Sequence, residues 1–143
     1  MSKPTKEKLI LVIDDDKELC EFMVDILTPD GYRVITAENG EIGLKMAREN
    51  KPGVILLDVM MPVLDGYGFL DAQRADPTIA SIPIIVLSAG VMLDRIPKEI
   101  PRLPKPPALL VLFALIESKM NQAADLAAAV AKAAAPKPAS TPT

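Results

Sequence analysis

Histidine is absent from the 143 residues. That removes imidazole acid/base catalysis, a histidine nucleophile and histidine metal ligation together. There is no tryptophan, so fluorescence offers no indole reporter for this chain. A single cysteine, Cys20, excludes an internal disulfide framework. Cys20 sits in a helical pattern and reads as a small core residue. No basic run or recognition-helix pattern accompanies the net charge of −3, so nucleic acid is not expected as a direct partner. The longest apolar stretch, Leu109 to Ile116, is too short to span a bilayer, so no membrane insertion is expected. The Lys-rich start is followed only by Leu9–Ile13 before three aspartates, which is not a signal-peptide pattern. A cytoplasmic protein is expected.

Half of the residues are apolar, enough for one domain with a core. Residues 1–7 read as a polar lead, 8–121 as the domain, and 122–143 as an Ala/Pro-rich extension whose end is disordered. Two runs are informative above all. Ile10-Leu11-Val12-Ile13 leads into Asp14-Asp15-Asp16, and Val54-Ile55-Leu56-Leu57 leads into Asp58. Unbroken apolar, β-branched runs of this length read as parallel strands covered on both faces. The pattern predicts strands at Leu9–Ile13, Tyr32–Thr36, Val54–Asp58 and Ile82–Leu87. Between them it predicts helices at Lys17–Leu27 (Leu19, Phe22, Met23 and Ile26 inward), Gly40–Asn50, and from an Asp65 cap to Ala75. Such alternation implies a parallel sheet with right-handed crossovers. After Ala89 the prolines at 97, 101, 104, 106 and 107 break the pattern. Only a helical turn at Val91–Ile96 and a short edge strand at Ile100–Leu103 are expected there. Ala108–Met120 reads as the last helix, and the alanines from Ala123 to Ala135 can extend it.

In an open α/β sheet, ligands sit outside the carboxyl ends of the strands. If the two strands are neighbours, at least three of the acidic side chains Asp14, Asp15, Asp16 and Asp58 crowd into one crevice. Two unit charges about 4 Å apart repel by roughly 4 kcal/mol at an effective dielectric near 20. The cluster calls for a cation, protons or water. Ser88 ends the fourth strand, and Lys105 follows the fifth. Carboxylates, a hydroxyl and a lysine on one rim make a phosphoryl site. Carboxylates can hold Mg²⁺, one can act as a nucleophile, and the hydroxyl and ammonium can bind phosphoryl oxygens. Each residue alone has a plainer reading. The aspartates 14–16 could cap a helix, Asp58 could be a turn residue, Ser88 a loop hydroxyl and Lys105 a solvated lysine.

Taken together, ILVIDDD, LLDVMMPVLDGYGFL, PIIVLSA and Lys105-Pro106 resemble the receiver domain of two-component response regulators, the CheY-like family, over about Leu9 to Met120. The resemblance implies a doubly wound, flavodoxin-like α/β fold with a five-stranded parallel sheet in order 2-1-3-4-5, an order for which a well-known receiver is itself the standard example. Here an irregular, Pro-rich segment would replace most of the fourth helix. The resemblance implies Asp58 as phosphoacceptor, with Ser88 and Lys105 contacting the phosphoryl group. Asp14, Asp15, Asp58 and the backbone carbonyl of Met60 would hold Mg²⁺. The donor would be a sensor histidine kinase or phosphotransfer protein, because this chain has no histidine. The protein would not be a conventional enzyme, but would catalyse its own Mg²⁺-dependent phosphotransfer and dephosphorylation. A stand-alone regulator docking onto an unknown output protein is expected, since no effector sequence follows.

The chain departs from the family between Ser88 and Lys105. The switch aromatic usually found shortly before the lysine is replaced by Arg102. That predicts an altered signalling face. It also motivates a second reading, a phosphorylation-independent interaction module with a receiver's shape. A third, a haloacid-dehalogenase-like phosphatase suggested by Asp14-x-Asp16, fits poorly, because Glu18 stands where that family expects Thr or Val.

Overall fold

A computed structural model describes residues 8–59, 63–88, 96–105 and 107–134, the last as backbone only from 122 onward. Its elements are β1 (Leu9–Ile13), α1 (Lys17–Leu27), a short 3-10 turn (Thr28–Asp30), β2 (Arg33–Ala37), α2 (Gly40–Asn50), β3 (Val54–Asp58), α3 (Gly66–Ala75), β4 (Ile84–Ser88), β5 (Arg102–Pro104) and α4 (Leu109–Ala134). The five strands form one parallel sheet in the order β2-β1-β3-β4-β5. This is the doubly wound receiver topology that the sequence implied.

Helices α1, α2 and α3 each start where a side chain can accept unpaired amides. Asp16 accepts from the N–H groups of Glu18 and Leu19, Asn39 from Ile42, and Asp65 from Gly68. Replacing such a cap with alanine typically costs about 1 kcal/mol. Along β1 the side chains alternate between two cores. Leu11 and Ile13 pack with Leu44, Ala47 and Phe69 of α2 and α3. Ile10 and Val12 pack with Met23 and Leu27 of α1 and with Leu112 and Ile116 of α4. Burying one such side chain stabilises the fold by about 1.5–3 kcal/mol, so both sheet faces must be covered. The strands' carboxyl ends are left for the polar residues.

The observed boundaries differ from the sequence pattern at three strands, each for a hydrogen-bonding reason. β2 starts at Arg33 because the N–H of Tyr32 closes the preceding turn on the Leu27 carbonyl. β4 starts at Ile84 because Ile82 donates to Ile79 in a turn and Pro83 has no N–H. β5 starts at Arg102 because Ile100 donates back to Pro97. Phe22, expected inward, is instead 43% exposed. The face of α1 on the sheet is Cys20, Met23 and Leu27. The expected helical turn at Val91–Ile96 lies outside the described residues except for Ile96, which is buried in a bend. The alanine-rich run continues α4 to Ala134. No helix among the described residues is long and apolar enough to cross a membrane.

Arg48 of α2 meets Asp76 at the end of α3, Nε to Oδ2 2.7 Å. The Arg48 hydrogen bond, followed by those from the Thr78 hydroxyl and amide, lowers the Asp76 pKa to about 2 from an ordinary 3.8. A depressed carboxylate pKa contributes stability above the unfolded value, lost as pH falls through the folded one. Arg48→Met should therefore lower the urea midpoint at pH 5, and the deficit should shrink between pH 4 and pH 2. A deficit constant across that range would mean that Arg48 acts through packing instead.

Candidate functional site

The parallel register brings the predicted residues to one rim. Asp14 follows β1, and its N–H extends the ladder to the Ala37 carbonyl of β2 (3.0 Å). Asp58 is the last residue of β3 and lies opposite Leu87, one residue before Ser88 at the end of β4. Lys105 directly follows β5, and its N–H donates to the Ser88 carbonyl (3.1 Å). Asp14, Asp58 and Ser88 are buried, whereas Asp15 faces solvent. Met60 lies outside the described residues.

The Lys105 ammonium bridges the two buried carboxylates. Its Nζ is 2.8 Å from Asp14 Oδ2 and 3.4 Å from Asp58 Oδ1. Burial of the lysine disfavours its charge. Hydrogen bonding and attraction from Asp14, with Asp58 behind them, outweigh that and raise its pKa above the ordinary lysine value. Asp14 Oδ1 accepts the N–H of Asp16 (2.9 Å). Among the described residues no well-directed hydrogen bond reaches Asp14 Oδ2, and the ammonium beside it is its charge partner. Asp16 points away into the α1 cap. The caps-only reading therefore holds for Asp16 and fails for Asp14.

One carboxylate oxygen from each of Asp14, Asp15 and Asp58 lies within 4.8 Å of the others. The set is all hard oxygen, and among the described residues one buried lone-pair site lacks a directed donor. That chemistry fits a hard divalent ion such as Mg²⁺ better than a soft metal. Cys20 does not join the set. It is buried, with Sγ 3.5 Å from the Asp14 carbonyl. Burial, then the Asp14 and Asp16 charges, push its thiol pKa up to about 11. It is an inert core thiol. A groove of about 390 Å³ between α1 and β2, lined by Lys17, Cys20 and Thr36, borders Asp14. Asp58, Ser88 and Lys105 are not among its lining residues, so the charged cluster lies at its edge.

Two supporting residues were not legible as such in the sequence. Gly66 opens α3 with its N–H on the Val59 carbonyl (2.8 Å), pressed against the backbone of Asp58 and Val59. A glycine directly after the Asp65 cap was the available signal, since capping alone does not require it. Arg102 directs Nη2 at three backbone carbonyls. A single arginine in a Pro-rich stretch offers no comparable signal.

Comparison with known proteins adds an independent line. The family model described as "Response regulator receiver domain" matches residues 10–100. The chain is 47% identical over 92 residues to the probable transcriptional regulator ycf27 of Pyropia yezoensis, covering 64% of this chain and 36% of that protein. It is 40% identical over 85 residues to the transcriptional regulatory protein PrrA of Mycobacterium tuberculosis, covering 59% and 36%. The chain thus spans about a third of the length of these curated relatives. Among solved structures, the receiver domain of the Francisella response regulator 1452 superposes with a TM-score of 0.71 at 27% identity, covering 80% of this chain and 98% of that one. The chemotaxis response regulator CheY4 of Vibrio cholerae gives 0.69 at 27% identity, covering 78% and 97%.

Proposed function

The chain belongs to the response regulator receiver domain family, and from that premise we propose that it accepts a phosphoryl group on Asp58 and signals by docking onto an output protein. The observation that carries this reading is the Lys105 ammonium held between Asp14 and Asp58. A cation already aimed at the acceptor carboxylate is placed to bind the oxygens of an incoming phosphoryl group. The donor is a histidine kinase or phosphotransfer protein working in the cytoplasm.

In transfer, an Asp58 carboxylate oxygen attacks phosphorus while the P–N bond of the partner's phosphohistidine breaks. The electron pair of that bond returns to the imidazole, and an acyl phosphate forms. Asp14, Asp15 and Asp58, with the Met60 carbonyl, would hold Mg²⁺, which when bound offsets the negative charge gathering there. Lys105 and the Ser88 hydroxyl bind the phosphoryl oxygens as that charge develops. Later attack of water on phosphorus returns the carboxylate and releases phosphate. The acyl phosphate carries a charge of about −1.5 to −2 in place of the single negative charge of the carboxylate. In binding that charge, Lys105 and Ser88 would shift the ends of β4 and β5 toward a second population.

The printed names of the sequence relatives favour regulation of transcription as the output. On that reading this receiver controls a DNA-binding partner or region, without itself contacting DNA. The test is incubation with Mg²⁺ and acetyl phosphate, followed by intact-mass measurement. The expected result is one adduct with the mass of HPO₃, lost in Asp58→Asn and without divalent metal. Wild-type protein that takes no adduct and binds no Mg²⁺ would leave the phosphorylation-independent interaction module in its place.

A further inference from the structure

β5 is a strand of three residues at the edge of the sheet, between Pro101 and the terminal Pro104. Neither proline has an N–H to offer β4. Yet this strand sets where Lys105 lands. A slip of one residue would carry Lys105 about 3.3 Å along the sheet and turn its side chain to the opposite face. Its ammonium would then leave contacts of 2.8 and 3.4 Å. A strand with so few donors of its own needs another restraint.

Arg102, the first residue of β5, supplies one. Its Nη2 lies 2.6 Å from the Pro97 carbonyl, 3.0 Å from that of Ile100 and 3.4 Å from that of Ile96. The turn leading into the strand is thereby gathered on a single guanidinium. Ile100 also closes on Pro97 (3.0 Å), and Val86 donates to Pro101 (2.9 Å). The buried Ile96 anchors the far end of the turn in the core. Charge-assisted bonds to carbonyls are about twice as strong as neutral ones.

We propose that Arg102 is a positioning residue: it clamps the 96–101 turn, holds β5 in register and thereby aims Lys105 at Asp14 and Asp58. This goes beyond the loss of an aromatic that the family resemblance expects at the position. The arginine is a fixed restraint there, where a rotating aromatic would be a toggle. The proposal rests on the phosphoacceptor reading only for its kinetic consequence.

The test compares wild type, Arg102→Met and Arg102→Lys by NMR and mass spectrometry. The amides of Val86 and Lys105 report the β4–β5 register, and that of Leu11 in β1 reports global stability. Arg102→Met keeps the aliphatic stem and removes the donors. It should speed exchange at Val86 and Lys105 by about tenfold relative to Leu11. It should also erase the Lys105 ammonium resonance that its ion pairs keep visible, and slow acetyl phosphate adduct formation severalfold. Arg102→Lys, which keeps a cation near the carbonyls, should restore part of each. Unchanged exchange in Arg102→Met overturns the clamp. Faster exchange with the ammonium resonance and adduct rate intact overturns the positioning role. If Leu11 also loses protection in Arg102→Met, Arg102→Leu, which likewise removes the donors and keeps an apolar stem, is read by the same criteria. If wild type takes no adduct, the phosphoacceptor reading fails, and exchange and the ammonium signal still decide the clamp.

Discussion

Lys105→Met is expected to destabilise the protein by about 3 kcal/mol at neutral pH without divalent metal, the usual scale for breaking one side of a buried ion pair. The lysine is the cation beside two carboxylates that are almost wholly buried. Each contact is worth roughly 5 kcal/mol in gross attraction at an effective dielectric near 20, and desolvation of the charges offsets much of that. Removing the ammonium leaves the desolvation cost and adds unrelieved repulsion between Asp14, Asp58 and the nearby Asp15. The Lys105 side chain is 18% exposed, so water enters the gap and keeps the loss near the lower end of the usual range. Millimolar Mg²⁺ should recover more stability in the variant than in wild type, because the metal takes over the role of counter-charge. Far-UV circular dichroism in urea is the measurement, since the chain has no tryptophan to report by fluorescence. A midpoint unchanged by the substitution, with and without Mg²⁺, would show that the carboxylates do not need the lysine.

Gly66→Ala is expected to cost about 3 kcal/mol and lower the melting temperature by about 10 °C. An added Cβ would lie 2.7 Å from both the Asp58 carbonyl oxygen and the Val59 Cα. Both are backbone atoms, so no flexible side chain can swing aside. Alanine would gain up to about 1 kcal/mol in helix propensity over glycine. The clash exceeds that gain, so the net sign is destabilising. Relief requires moving α3 away from β3 or shifting the backbone of Asp58. The second route disturbs the acceptor carboxylate, so adduct formation should slow even in the fraction that stays folded. A variant as stable as wild type would show that α3 is looser against β3 than the structure places it.

Most of the site was readable because each residue ends a strand whose apolar run is unmistakable. Ile10–Ile13 and Val54–Leu57 have no polar residue to put them on a surface, so Asp14 and Asp58 had to emerge at the sheet's rim. The β1, β3, α1 and α2 boundaries agree with the pattern because caps and breakers are local: Asp16, Asn39, and Pro52-Gly53. Where the reading slipped by a residue or two, the deciding hydrogen bond joined groups outside the strand, as for Tyr32 on Leu27 and Ile100 on Pro97. Phe22 slipped for another reason. Periodicity marks a helix's apolar residues, but the sheet chooses the facing stripe, and here that stripe is Cys20, Met23 and Leu27.

By itself, then, the sequence determined the parallel α/β class, the strands that lead to Asp14, Asp58 and Ser88, and the resemblance that assigns Asp14 a metal role and Asp58 and Ser88 a phosphoryl role. These follow from short-range patterns: apolar runs, caps and breakers acting over one or two turns. Only the tertiary structure decided that Lys105 bridges Asp14 and Asp58, that Gly66 must lack a side chain, and that Arg102 gathers three carbonyls. Those are contacts between segments far apart in the chain, or within a stretch without periodicity. Their distances exist only once the sheet has set the register of its strands.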